Sequence, residues 1–506
     1  MSTIMRAFGV ALVSAAVVLG APVVHADPAV SAGSIDWKPC ASDATAECGT
    51  LRLPIDHAAP AGPKFDLAVA RRKATDPAKR VGVLLVNPGG PGSSGVDFVV
   101  RLNNYFSADV QSRFDIIGWD PRGVASSQPV RCSFDDWSKR PSQYPATQAE
   151  FDTLVKYNRD MREDCRKRSG PIADHADTGA TAQDMDAIRR ALGERKINYY
   201  GLSYGTLMGQ QYAERYGDKI RSMVIDSNMD HSIGTRAFAA TSAQTAESSF
   251  TEWAKWCERT ASCALHGRDV TRFWDDLLAK ADRGEVREEG SPITARDIIS
   301  LASGAFYGPY FGEFAEWLSQ LDTGKPTRRM AFREQEEIKL PWQAVFCADY
   351  SLPVRTFAEY KSLVAIENAV APHMRGGVIG HESITGCVGS PEKINNPQHP
   401  LTITNAPKIL MANALYDPAT SYLWAANAHR QAKDSTLLLT YEGWGHGVYH
   451  HGECVGKAID GYLATLAAPP ARCAGVPETG QVRSDHDRGV RPQRPGFGSV
   501  RDHGRS

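Results

Sequence analysis

Four stretches of this chain are predominantly apolar from end to end and stop at a turn: VGVLLVNPGG (81–90), FDIIGWDPRG (114–123), INYYGLS (197–203) and IRSMVIDSN (220–228). None shows the apolar–polar alternation of a strand wetted on one face. A strand that is apolar on both faces must be covered on both, which is the environment of a parallel sheet. Helix-like segments lie between the runs, TAQDMDAIRRALG (181–193) among them. Strands alternating with helices make βαβ units and a mostly parallel sheet. A strand pair, GTLRLPIDH (49–57) and FDLAVARRKA (65–74), precedes them.

The pattern changes after residue 230. Residues 231–400 are rich in helix-like stretches, tryptophan and cysteine, as in SAQTAESSFTEWAKWCERTASC (242–263). Strand-like runs return in APKILMANALYD (406–417) and STLLLTYEGWGHG (435–447). The expected organisation is an α/β core over 35–230, an inserted and mainly helical cap over 231–400, and completion of the core over 401–473. Residues 474–506 are Gly, Pro, Arg and Asp with hardly an apolar side chain, and are expected to be disordered. VPETG (476–480) looks like a sortase signal, but no hydrophobic stretch follows it.

Gly201-Leu202-Ser203-Tyr204-Gly205 joins the third apolar run to a helix-like segment. Glycine weakens strands and helices alike, so local stability does not explain two of them here. A serine nucleophile does. It would sit on a tight strand-to-helix turn in a strained backbone, with neighbours two positions away that carry almost no side chain. The following helix would aim its N-terminal N–H groups at the same spot, favouring negative charge. Gly209 would let that helix pack closely on the sheet.

A serine hydroxyl needs a base, and the base is a histidine held by a carboxylate. Asp417 in LYDPATSY and His446 in EGWGHGVYHH each follow a strand-like run. Both then fall at strand C-terminal ends, where sites gather in open α/β sheets. His450 and His451 are rivals for the base, and Asp226 at the end of VID is a rival for the acid; its other role would be to bond backbone. The oxyanion needs N–H donors. The Tyr204 N–H and a glycine N–H from the Pro88–Gly92 loop, Gly90, are the candidates.

The first methionine is followed by an arginine, an apolar run and Val24-His25-Ala26, the layout of a secretory signal cleaved after Ala26. An uncleaved anchor is the rival, but Pro22 and the polar residues after the run favour cleavage and a secreted chain. No cysteine lies near the site for lipid attachment, so no stable membrane association is expected after cleavage. In an oxidising compartment, ten cysteines suggest disulfides. Sequential pairing is expected, since Cys40/Cys48, Cys257/Cys263 and Cys454/Cys473 each close a short loop, although spacing alone leaves connectivity open. Neither Cys-x-x-Cys nor His-Glu-x-x-His occurs, so a zinc site is not expected. A net charge of −1 offers nothing to a nucleic acid. Gly90-Pro91-Gly92-Ser93-Ser94-Gly95 does match a dinucleotide fingerprint, with Asp120 ending the next run. Two prolines crowd that loop, however, and the fingerprint leaves Ser203, Asp417 and His446 unexplained.

The motifs NPGGPGSSG, GWDPRGVASS, YYGLSYGTLMGQQYAERYGDKIRSMVIDS and ALYDPAT…GWGHGVY, in this order, resemble the secreted tripeptidyl aminopeptidases of actinomycetes. These are α/β-hydrolases related to the prolyl iminopeptidases, and the likeness runs from about residue 35 to Cys473. The resemblance implies a triad of Ser203, Asp417 and His446, an oxyanion hole of Gly90 and Tyr204, and a helical cap over the site. It implies a cofactor-free serine exopeptidase that releases short peptides, such as tripeptides, from free peptide or protein N-termini. A carboxylate that receives the substrate ammonium is then needed. Asp349 in AVFCADY and Glu247 are the candidates. DPRGVASSQP is less glycine-rich than the family pattern, and the 474–506 tail has no counterpart. The family also holds esterases, so a secreted carboxylesterase with the same triad is the alternative, and a silent binding protein on this fold a third.

Overall fold

The computed structural model describes residues 33–476 apart from 103, 289, 309 and 325–340. The expected signal segment and all of the expected tail beyond Val476 lie outside the described residues.

Among the described residues, ten strands form one sheet: β1 (Lys38–Pro39), β2 (Glu47–Pro54), β3 (Lys64–Arg72), β4 (Gly82–Asn87), β5 (Phe114–Trp119), β6 (Ile197–Leu202), β7 (Ile220–Asp226), β10 (Ile409–Tyr416), β11 (Thr436–Trp444) and β12 (Arg472–Ala474). A two-stranded hairpin, β8 (Arg287–Glu288) and β9 (Ser291–Pro292), lies apart from it. The sheet order is β1-β2-β3-β5-β4-β6-β7-β10-β11-β12. The β1–β2–β3 edge is antiparallel, as is the β3–β5 pairing; from β5 to β12 every pairing is parallel. Each apolar run in the sequence is a strand of this sheet. All six residues of β4 and all six of β6 are buried, as two-sided cover requires.

The helices are α1 (Gly95–Val100), α2 (Ala108–Arg113), α3 (Phe134–Trp137), α4 (Gln148–Ser169), α5 (Thr178–Ala191), α6 (Gly205–Tyr216), α7 (Thr235–Arg259), α8 (Val270–Asp282), α9 (Ala295–Ala305), α10 (Phe311–Thr323), α11 (Pro341–Asp349), α12 (Phe357–Val370), α13 (Ile379–Cys387), α14 (Tyr422–Gln431) and α15 (Glu453–Thr465). Successive residues of β4 feed opposite faces. Val83 and Leu85 join a core with Met185, Ile188, Leu207, Met208 and Trp424 from α5, α6 and α14. Leu84 and Val86 join another with Val99, Val110, Ile459 and Leu463 from α1, α2 and α15. The period-2 geometry of a strand thus sorts one apolar run into two helical layers.

Among the described residues, seven helices, α7 to α13, lie between β7 and β10. They do not share a single core. Trp253, Trp256, Trp274, Phe306, Phe314 and Trp317, from α7 to α10, form an aromatic cluster of their own. Trp342, Val345, Phe346, Tyr350 and Tyr360, from α11, α12 and the turn between them, instead join the core beneath the sheet. The inserted region is therefore two structural layers, only one of which packs as a separate body.

The ten cysteines pair sequentially, as Cys40–Cys48, Cys132–Cys165, Cys257–Cys263, Cys347–Cys387 and Cys454–Cys473. The last of these ties α15 to β12, the edge strand beside β11.

The arginine of GWDPRG has a structural task. The Arg122 guanidinium is fully buried and donates to both carboxylate oxygens of Asp184 on α5, at 2.7 Å each. It also donates to the carbonyls of Ile55 (2.6 Å) and His175 (3.1 Å), so it clamps the chain after β2 and β5 to α5. Removing one partner would leave a buried charge unpaired, which costs about 3–5 kcal/mol. Arg122→Met is expected to lower stability by about that amount in denaturant unfolding, and Arg122→Met with Asp184→Asn to recover much of it.

Candidate active site

Ser203 directly follows β6 and holds φ at +58°, in the left-handed region that a side chain rarely adopts. The two flanking glycines answer to close contacts. A Cβ on Gly201 would meet the Gly205 carbonyl oxygen at 2.5 Å, and one on Gly205 would meet the Asn87 carbonyl oxygen at 2.8 Å. Gly209 lies against Ile225 and the Tyr199 ring, where a Cβ would come within 2.8 Å of each. The strand, the turn and the start of α6 are thus pressed together, and Ser203 stands at their apex.

His446 follows β11, and its Nδ1 faces both oxygens of Asp417, at 2.9 and 3.0 Å. Asp417 follows β10 and is fully buried. Its Oδ1 also accepts the N–H groups of Ala419 (2.8 Å) and Thr420 (2.9 Å), and its Oδ2 the Thr420 hydroxyl (2.9 Å). Burial pushes its pKa up, but the His446 imidazole and these donors outweigh burial and hold the carboxyl below its usual range. An ionised Asp417 fixes Nδ1 as the protonated nitrogen and leaves Nε2 with a free lone pair, as a general base needs.

The loop carrying His446 lies against the nucleophile turn. A Cβ on Gly447 would meet the Leu202 side chain at 2.8 Å. β6, β7, β10 and β11 are consecutive in the sheet and parallel, so Ser203, Asp417 and His446 follow its strands at one end.

Asp226 does not contact the imidazole through a hydrogen bond. Its carboxylate accepts the N–H groups of Val448 (2.9 Å) and Tyr449 (3.2 Å), just past His446, and the Tyr200 hydroxyl (3.0 Å). Its carbonyl accepts the Ser203 N–H at 2.8 Å. The rival acid is therefore a tether between the nucleophile turn and the base loop. His450 is exposed and meets the Tyr105 ring edge-on, whereas His451 is partly buried against Tyr441 and Trp444, with its pKa pushed down to about 4 by burial of its ring.

The loop after β4 covers the nucleophile turn. A Cβ on Gly89 would meet Ser203 Cβ and the Tyr204 nitrogen, each at 2.9 Å. The Gly89 N–H is given to Asn87 Oδ1 (2.9 Å), so Gly90, at φ +113°, is the next donor along the loop. Further on, the loop does not have the layout of a dinucleotide cradle. Asp120 accepts the Ser94 hydroxyl and the N–H groups of Val96 and Ser126, and so closes this loop onto the one after β5.

Asp349 requires a correction. It was expected to receive a substrate amine, but it is fully buried and its oxygens are taken by protein donors. Oδ1 accepts the Thr178 N–H (2.9 Å), the Thr178 hydroxyl (2.9 Å) and Asn396 Nδ2 (2.8 Å), and Oδ2 accepts the Tyr204 hydroxyl (2.7 Å). It anchors the side chain of the residue after the nucleophile. Glu247, on α7, is half-buried; its oxygens accept the N–H groups of His373 (3.4 Å) and Met374 (3.0 Å). It also borders a cleft of about 290 Å³ with Gln244, Ser248 and Tyr416, the neighbour of Asp417.

Sequence reasoning missed Tyr307, which follows α9. Its ring lies 4.9 Å from the His446 ring, and its carbonyl accepts the His446 N–H at 3.1 Å. No local pattern links a turn between inserted helices to a histidine on a distant strand.

Burial raises the Asp226 pKa to about 6. Burial and the nearby Asp177 charge raise that of Asp349 to about 7. Both exceed the unfolded value of about 3.9, so each contributes stability that is present below pH ~4 and lost as pH rises through the folded pKa. Asp349→Asn mimics the protonated form. Its stability relative to the parent chain is expected to be higher at pH 8 than at pH 5 in denaturant unfolding; an equal difference at both would show that Asp349 does not take up a proton in that window.

Residues 82–452 match the family model described as the alpha/beta hydrolase fold. The chain is 30% identical to the tripeptidyl aminopeptidase of Streptomyces lividans, over 85% of this chain and 84% of that one. It is 27% identical to the serine protease Hip1 of Mycobacterium tuberculosis, over 93% and 96% of the two chains, and 30% identical to carboxylesterase B of the same species, over 85% and 86%. Together with the elbow at Ser203 and the parallel sheet that carries it, these matches place the chain in the α/β-hydrolase family, in the group that includes the Streptomyces tripeptidyl aminopeptidase.

Proposed function

We propose that this chain is a serine exopeptidase that releases short peptides, tripeptides above all, from free N-termini. The observation that carries the chemistry is the His446–Asp417 pair held against the turn of a positive-φ serine. Ser203 Oγ would attack the substrate carbonyl as His446 Nε2 takes its proton. The Gly90 and Tyr204 N–H groups would receive the oxyanion, and water would resolve the acyl-enzyme with the same base. The choice of a peptide substrate rests on the tripeptidyl aminopeptidase and serine protease relatives. The inserted helices would form the cap, and Glu247, beside its cleft, is the acid retained for the substrate ammonium. A secreted location is supported by the signal-like N-terminus and by five disulfides. No helix among the described residues is long and apolar enough to cross a membrane. The carboxylesterase relative favours a second reading, the same triad acting on esters.

A tripeptide anilide with a free amine, its N-acetylated twin and a short-chain nitrophenyl ester separate the two. The free-amine peptide should be cut and the acetylated one spared, with Ser203→Ala inactive on all three. Cleavage of the ester alone would establish the esterase instead. Asp417→Asn should lower kcat by about 10⁴-fold, because the imidazole would lose its tautomer. Glu247→Gln should raise KM for the free-amine peptide and leave ester hydrolysis unchanged; an unchanged KM would remove Glu247 from substrate binding.

A further inference from the structure

The turn between α9 and α10 is docked on the base loop. Tyr307 gives its carbonyl to the His446 N–H and lays its ring beside the imidazole. Phe311, which opens α10, packs on Trp444 with ring centroids 4.3 Å apart. The start of α10 is tied down: Trp253 Nε1 donates to the Phe311 carbonyl (3.2 Å), and the Tyr310 N–H to the Gly308 carbonyl (2.9 Å). The His446 side chain is only 3% exposed, so Tyr307 stands on one of the few approaches to it.

We propose that the Tyr307 ring is a wall of the subsite that holds the residue following the scissile bond, and that it sets preference for an apolar side chain there. The argument rests on the serine-hydrolase reading above. In acylation the Ser203 Oγ–carbonyl bond forms and the carbonyl–nitrogen bond breaks. The proton that His446 took from Ser203 passes to the leaving nitrogen. That nitrogen must therefore come within hydrogen-bond reach of the imidazole, and the side chain next to it comes up against whatever lies beside the imidazole. Here that is the Tyr307 ring, held beside His446 by its own backbone carbonyl. Deacylation differs. Water attacks the acyl carbon, His446 takes the water proton and returns it to Ser203, and no leaving residue is present. A ring that contacts only the leaving residue acts in the first step and not in the second.

Substitution of Tyr307 isolates the ring, because the carbonyl that holds His446 is backbone and stays. The mature full chain and its Tyr307→Phe, Tyr307→Leu and Tyr307→Ala variants would be given free-amine tetrapeptides that share three residues and end in Phe, Leu or Gly. Hydrolysis of a pre-formed acyl-enzyme, read by burst kinetics on a nitrophenyl ester, reports deacylation. The parent and Tyr307→Phe should favour Phe and Leu over Gly in kcat/KM. Tyr307→Ala should lose that preference by roughly tenfold, the order of one buried apolar contact, with deacylation unchanged. Equal losses in acylation and deacylation for every leaving residue would overturn the proposal, since the ring would then only position the imidazole. An unaltered preference would overturn it too. Tyr307→Leu keeps bulk on the turn, and its intermediate preference would carry the test if the alanine variant does not fold. If the parent cuts only esters, the peptidase reading fails, and benzyl and methyl esters of one acyl group put the same question to Tyr307.

Discussion

One residue holds the two halves of the site in register. Asp226 accepts the Ser203 N–H with its carbonyl and the Val448 and Tyr449 N–H groups with its carboxylate. The nucleophile turn and the base loop belong to strands that are not neighbours; β7 and β10 lie between them. Side-chain packing alone would leave their separation to the give of two loops. A carboxylate in the gap replaces that freedom with charge-assisted hydrogen bonds to two backbone N–H groups of the base loop. The cost is a buried carboxyl with a raised pKa, softened by the Tyr200 hydroxyl.

Asp349 repeats the device on the other side of the serine. Four donors converge on it, and one is the hydroxyl of Tyr204, the residue after Ser203 whose N–H is proposed to receive the oxyanion. An N–H that must meet a developing charge gains from being aimed in advance. α11 brings Asp349 to that place, with the Cys347–Cys387 disulfide joining α11 to α13. This explains why α11 packs with the sheet core and not with the aromatic cluster of α7 to α10. The inserted region thus supports the site from within, through Asp349 and Tyr307.

The strands were legible because a strand buried on both faces has no room for polar residues, and a run such as VGVLLVN has few other homes. The nucleophile turn was legible for a related reason: two glycines around a serine are an expense that only close contact justifies, and those contacts exist. The positions of Asp417 and His446 after strands were legible from the apolar runs that precede them, and the fold sets the two 2.9 Å apart. The helices between 231 and 400 were legible as helices but not as two layers, because an amphipathic face states that it will be buried and not against what. Asp349 was misread for the same cause. An acid in AVFCADY can face a substrate or four protein donors, and only the fold brings Thr178 and Asn396 to it. Tyr307 gave no local signal, since its meaning comes from the ring it touches.

The docking of Tyr307 and Phe311 on the base loop bears on how such a family can diversify. Elsewhere an inserted region could be exchanged between relatives like a cassette, carrying its selectivity and leaving the engine alone. Here the cassette owns the acceptor for the His446 N–H and the partner of Trp444. A recombinant that imports a foreign insertion would inherit a new alignment of its base along with a new mouth. Side chains beside His446 can change without touching that hydrogen bond, whereas the backbone at Tyr307 cannot.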